Sequence, residues 1–146
     1  MRTILAVGLA LSACVTASGP RATQRQAMTR IDPADREKTF TRALQVVQAH
    51  GWLLAVSDRS AGLLTTQIMD SGVRVCGHIQ CPSRTAVQIT IADTGNVAVN
   101  LHREFYLGQS SGIGWFVPTY EPDVRAIEAE QAAVLAEIAG SAQAKN

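Results

Sequence analysis

Three groups of residues have types and spacings that could do chemistry. Cys76, His78 and Cys81 fall within Val75-Cys76-Gly77-His78-Ile79-Gln80-Cys81-Pro82. Thiolates and an imidazole could ligate a metal, and the two cysteines alone could form a disulfide or a redox pair. The spacing fits no common zinc pattern, shows no fourth ligand and is not C-x-x-C. His102 and Glu104 stand two apart in an alternating run, so they share one face of a strand. They could work as an acid–base pair, or be two solvated residues on a wet face. Trp115 and Phe116 sit in Gly108 to Thr119, GQSSGIGWFVPT. Large aromatics in a Gly/Ser-rich loop could anchor an interface or fold back over the edge of the core. His50 ends a helical segment, where positive charge is favourable and no further role is required. No G-x-S-x-G elbow is present, and Gly112-x-Gly114 does not open a helix after a strand as a dinucleotide fingerprint requires. Nothing here specifies catalysis, a metal site or a cofactor.

The N-terminus narrows these options. Met1 to Ala13 reads MRTILAVGLALSA, a positive end, an apolar run and small residues, the pattern of a secretory leader too short to span a bilayer comfortably. Leu11-Ser12-Ala13-Cys14 follows in register and resembles the lipobox of bacterial lipoproteins. The resemblance covers residues 1–14. It implies cleavage before Cys14, a diacylglyceryl thioether on that thiol and acylation of the new amine. Several acyl chains would hold the chain stably at a membrane. Val15, rather than Asp, follows the cysteine, which in such lipoproteins favours the outer membrane. With Cys14 assigned to lipid and the chain exported, Cys76 and Cys81 remain as an even pair in an oxidising compartment, and a disulfide is the leading expectation. Closing so small a loop would contribute about 2 kcal/mol.

Composition excludes some partners. Thirteen Lys and Arg, one of them Arg2 in the leader, face twelve Asp and Glu. The remainder is neutral and has no basic cluster, so neither nucleic acid nor anionic lipid has an electrostatic footprint. Apolar content of 47% against 17% charged marks a chain that folds.

The elements that must position these residues follow from periodicity. Residues 14–31 are assigned as lipidated N-terminus and tether, 32–140 as the folded domain, and 141–146 as a loose tail. Asp32 and Pro33 open a helix that carries Phe40, Ala43, Leu44 and Val47 at helical spacing and ends at Gly51. Strands are expected at Trp52–Ser57, Leu63–Met69, Val73–Cys76, Thr85–Ala92 and Val97–Leu107, with turns at Asp58–Gly62 and Asp93–Asn96. Trp52 alternates with Leu54 and Val56 and reads as core. Val87, Ile89 and Ile91, and Val97, Val99, Leu101 and Phe105, form buried faces opposite Asn100, His102 and Glu104. A second helix begins near Pro122 with Val124, Ile127, Val134, Leu135 and Ile138 on one stripe and closes at Gly140. The expected fold is a two-layer α+β sandwich, an antiparallel sheet of four to five strands with both helices on one face.

A second resemblance spans Asp32 to Met69. A helix ending in Gly51-Trp52, a strand, then Asp58-x-x-x-Gly62 and an aliphatic strand is similar to small domains of envelope lipoproteins, such as those of a lipoprotein component of the outer-membrane β-barrel assembly machinery. It implies a fold and a cellular setting, and no partner-binding residue carries over. The expected function is a membrane-anchored, non-catalytic envelope module that faces the periplasm and binds an envelope protein. The alternative is a domain that binds a small ligand or peptide.

Overall fold

The computed structural model describes residues 24–109 and 112–140. The leader, Cys14 and the tail 141–146 lie outside the described residues. Among the described residues seven strands form one antiparallel sheet: β1 Ala27–Arg30, β2 Leu54–Asp58, β3 Leu63–Thr66, β4 Met69–Cys76, β5 Ile79–Ile91, β6 Asn96–Gln109 and β7 Gly112–Phe116. The helices are α1, Arg36–Ala49, and α2, Glu121–Ala139. The α+β class, with one helix near each end of the domain, is as expected. The strand count is not: seven replace four to five.

The axis of the sheet is the long β5–β6 hairpin, paired from Ser83–Phe105 to Ile91–Val97. Five shorter strands complete the sheet. At the turn end, β1 pairs β6 at Asn96–Val99, β3 pairs β5 at Gln88–Thr90, and β2 lies outside β3. At the other end, β4 pairs β5 from Ile79 to Thr85, and β7 pairs β6 from Phe105 to Gln109. The helices pack on β1, β5, β6 and each other. Among the described residues no helix is long and apolar enough to cross a membrane.

Asp32 caps the entry to the first helix, its carboxylate accepting from the Ala34 N–H at 2.9 Å, and a 3-10 turn over Pro33–Asp35 leads into α1. Alternation places Val87, Ile89, Ile91, Val97, Val99 and Leu101 in one buried cluster. From α1 come Phe40, Ala43, Val46 and Val47, and from α2 Ile127, Val134, Leu135 and Ile138. Two turns need glycine for close approach. Gly62 (φ +64°) and Gly95 (φ +86°) press against the carbonyls of Ile91 and Ile31, where a Cβ would collide with backbone.

Several expectations are corrected. Residues 24–31 belong to the domain rather than to a tether. β1 was hidden by its polar composition, but Ala27 and Ile31 pack on the core, and the Gln24 side chain reaches the Leu101 carbonyl at 2.6 Å. The Gly/Ser-rich segment is not a simple loop: β6 runs on to Gln109 and returns as β7. β4 and β5 extend to a two-residue turn, Gly77-His78, so the cysteine region is mostly strand. Trp52 precedes β2, half-buried against the core and stacked on His50 at 4.4 Å. Val56 is exposed because a bulge between Leu54 and Val56 reverses the alternation.

Candidate functional site

The end of the hairpin remote from the Asp93–Asn96 turn gathers most of the residues singled out by their chemistry. Its helix-side face holds a second, small cluster of Cys76, Cys81 and Phe105, with Leu107 packed against it. Cys76 and Cys81 are joined in a disulfide across β4 and β5, with Cα atoms 6.0 Å apart. Both sulfurs are taken up by that bond and His78 turns away, its ring edge-on to Tyr120 at 6.0 Å, so the three do not converge on a metal. The Asp123 carboxylate accepts from the Gly77 N–H at 3.0 Å, tying the turn to the first turn of α2.

The opposite face carries a chain of contacts running across three strands. The His102 ring hydrogen-bonds Glu104 Oε1 at 3.0 Å, and Arg84 Nε donates to Glu104 Oε2 at 2.5 Å. Arg84 and Glu104 are cross-strand partners, as are Tyr106 and Trp115. The Arg84 guanidinium lies 4.3 Å from the Trp115 ring centroid, and Tyr106 meets that ring edge-on at 5.4 Å. The hydrogen bond from His102, with that of Arg84 and the positive charge beside it, holds the Glu104 carboxyl below its ordinary range. A carboxylate so engaged on both oxygens is a weak base. What the arrangement does is fix the Trp115 ring: a planar cation lies over it and a tyrosine meets it edge-on.

Trp115 and Phe116, taken together in the sequence, are separated by the strand alternation. Trp115 stands on the outer face with Ile113. Phe116 is on the helix side opposite Phe105. All three are exposed, Ile113 to 78%. Val73, Val75 and Tyr106 add to the apolar surface of this end. His50 caps α1 and hydrogen-bonds Glu137 at 3.0 Å.

Sequence reasoning did not single out Arg84, Tyr106 or β7. The signal for β7 was Ile113 and Trp115 spaced by two, obscured by glycines at 112 and 114. It also passed over Arg103, which is 5% exposed on the helix-side face. Arg103 donates from Nε to Thr85 Oγ1 at 3.1 Å and pairs with Glu130 at 2.9 and 3.0 Å. Ser71, Ser83 and Thr85 join it, Ser71 Oγ lying 2.8 Å from each of the other two hydroxyls. These residues line part of a polar cleft of about 210 Å³ or lie beside it. A larger groove, about 950 Å³, is elsewhere. It runs between β1, α1 and the end of α2, with Asp32, Asp35, Lys38 and Arg42 among its lining.

Compared with protein-family models and with curated proteins, the chain matches none.

Proposed function

We propose that the chain is a lipid-anchored lipoprotein of the bacterial envelope, held at the outer membrane and facing the periplasm. Its folded domain is a non-catalytic interaction module that offers the β6–β7 end to an envelope protein. The anchor rests on the leader and the Leu11-Ser12-Ala13-Cys14 lipobox in register with it. The interaction role rests on one observation: a strand of five uncharged residues, GIGWF, exposes Ile113, Trp115 and Phe116 at the sheet margin. From Cys14 to Gln24, the first described residue, the chain can span at most about 35 Å, so the domain would work close to the lipid surface.

Intact mass of protein purified from native membranes tests the anchor. The expected product begins at acylated Cys14 and gains two hydrogens on reduction of Cys76–Cys81. A product beginning at Met1, or with Cys14 as a bare thiol, would refute it.

A second reading, binding of a small ligand or peptide, is favoured by the groove between β1, α1 and α2. It predicts a rise in melting temperature with cell-wall fragments that is lost in Arg42→Ala. No shift with any fragment would rule this reading out in favour of the first.

A further inference from the structure

Among the described residues β7 is a short edge strand that carries no charge, proline or bulge. Among the described residues it pairs with β6 alone, and its other backbone edge meets no strand. From Leu107 to Tyr120 the chain has no charged residue, and Pro118 comes only after the strand has ended. Natural edge strands are commonly blunted by lysine, proline, a bulge or a covering segment, and a flat, uncharged, apolar edge is a template for another strand. The occupant must match an edge that offers main-chain donors and acceptors, apolar side chains and no charge.

The sequence of β7 matches itself. An antiparallel copy turned about Gly114 places Ile113 opposite Trp115 on the outer face, twice. On the other face it places Phe116 opposite Gly112, twice, with Gly114 opposite itself. β-Branched and aromatic residues are favourable cross-strand neighbours, and an aromatic ring lies readily over a glycine that has no side chain of its own. The two-fold relation makes each contact count twice and closes the assembly at two copies. On the outer face the paired edge would continue into the Tyr106–Trp115 contact of each copy, where Arg84 already fixes the indole.

We infer that β7 pairs with β7 of a second copy, antiparallel about Gly114, to join two sheets into one across a two-fold axis. This deepens the reading of β7 as the interaction element and does not depend on the lipid anchor.

Two measurements on the full chain test it. Sedimentation equilibrium in density-matched detergent should show a reversible dimer. Ile113→Lys, at a site already 78% exposed, should keep the circular dichroism of the wild type and, at concentrations low enough for both to be monomers, its melting temperature. It should weaken the dimer by about tenfold or more by removing the apolar neighbour of Trp115 in both pairs and charging the edge. Val75→Lys, on β4 of the same end, should leave the dimer unchanged. A monomer at all concentrations, or equal weakening by both variants, overturns the inference. Photo-crosslinking from position 113 in native membranes separates this failure from failure of the broader reading. A band at twice the chain mass supports the second copy. A single band of another mass overturns the second copy and leaves β7 an interaction strand. The absence of any band overturns both.

Discussion

Between Val87 and Leu101 the helix-side face of the β5–β6 hairpin is closed by fifteen mutually packed buried residues drawn from both helices and the strands β3, β5 and β6. A few residues further along, the buried cluster on the same face comprises, among the described residues, Cys76 of β4, Cys81 and Phe105. Between the two clusters the alternation turns polar. Thr85 and Ser83 follow Val87 inward along β5, and Arg103 separates Leu101 from Phe105 on β6. All three are buried. The first cluster is held by apolar burial, the second by a disulfide, and the seam by hydrogen bonds and an ion pair. A domain needs one large core to fold. The second cluster is too small to add much, so a covalent link and the Asp123 contact with Gly77 keep that end ordered while its outer face stays apolar and exposed. Stability is concentrated at one end of the hairpin and exposed apolar surface at the other.

That division predicts a steep gradient of mutational cost. Ile127→Ala removes a side chain that is 1% exposed in the large cluster and should cost about 4 kcal/mol in urea unfolding. Val75→Ala, at 65% exposure on β4, should change stability by less than about 0.5 kcal/mol. Equal costs would mean that the two ends share one core. At the seam, Arg103→Met leaves the Glu130 carboxylate without its partner and takes one of two hydrogen bonds from the Thr85 hydroxyl, which keeps Ser71. A loss of about 2–3 kcal/mol is expected, tempered because Glu130 is 31% exposed. Adding Glu130→Met should recover part of it. If the double variant is as unstable as the sum of the singles, the pair is not coupled.

The large core could be read in the sequence because both its periods are clean. All five apolar residues expected on α2 are buried, and so are the chosen residues of β5 and β6. What could not be read were polar groups acting as structure. Gln131 is fully buried, yet its type gives no sign that its amide oxygen accepts from the Leu101 N–H at 2.8 Å. Arg103 gives no sign of its burial because its partner, Glu130, is 27 residues away in the chain. β1 was missed because four residues with one strong apolar side chain show little alternation. The candidate site was legible as residue types at Trp115, Phe116, His102 and Glu104. It was not legible as geometry, because Arg84, which links the carboxylate to the indole, comes from the neighbouring strand.

The disulfide tests whether the distal end opens on its own. Replacing Cys76 and Cys81 by Ala should reduce global stability by about 2 kcal/mol at most. Hydrogen exchange should respond unevenly. Amides of β4 and of Ile79–Thr85 should lose protection, and those of Val97–Leu101 should keep the protection set by the large core. A uniform loss across both regions would show that the seam does not divide the domain into separately opening parts.

The smallest effect concerns Glu104, which links the outer face to Trp115. Its carboxyl is held below its ordinary value of 4.5 by the hydrogen bond from His102 and by Arg84. A carboxyl that ionises more readily when folded stabilises the fold above its ordinary value. That contribution fades as pH falls through the lower, folded value. The stability gap between wild type and Glu104→Gln should therefore be widest near about pH 6 and shrink toward about pH 3. Protonation also releases Arg84 from the carboxylate, so Trp115 fluorescence should change over the same acidic range. In Glu104→Gln that change should vanish, while any response from Trp52 remains. A gap that stays constant across this range, with unchanged fluorescence, would mean that Arg84 holds the indole without help from Glu104. The chain of contacts would then break at its central residue.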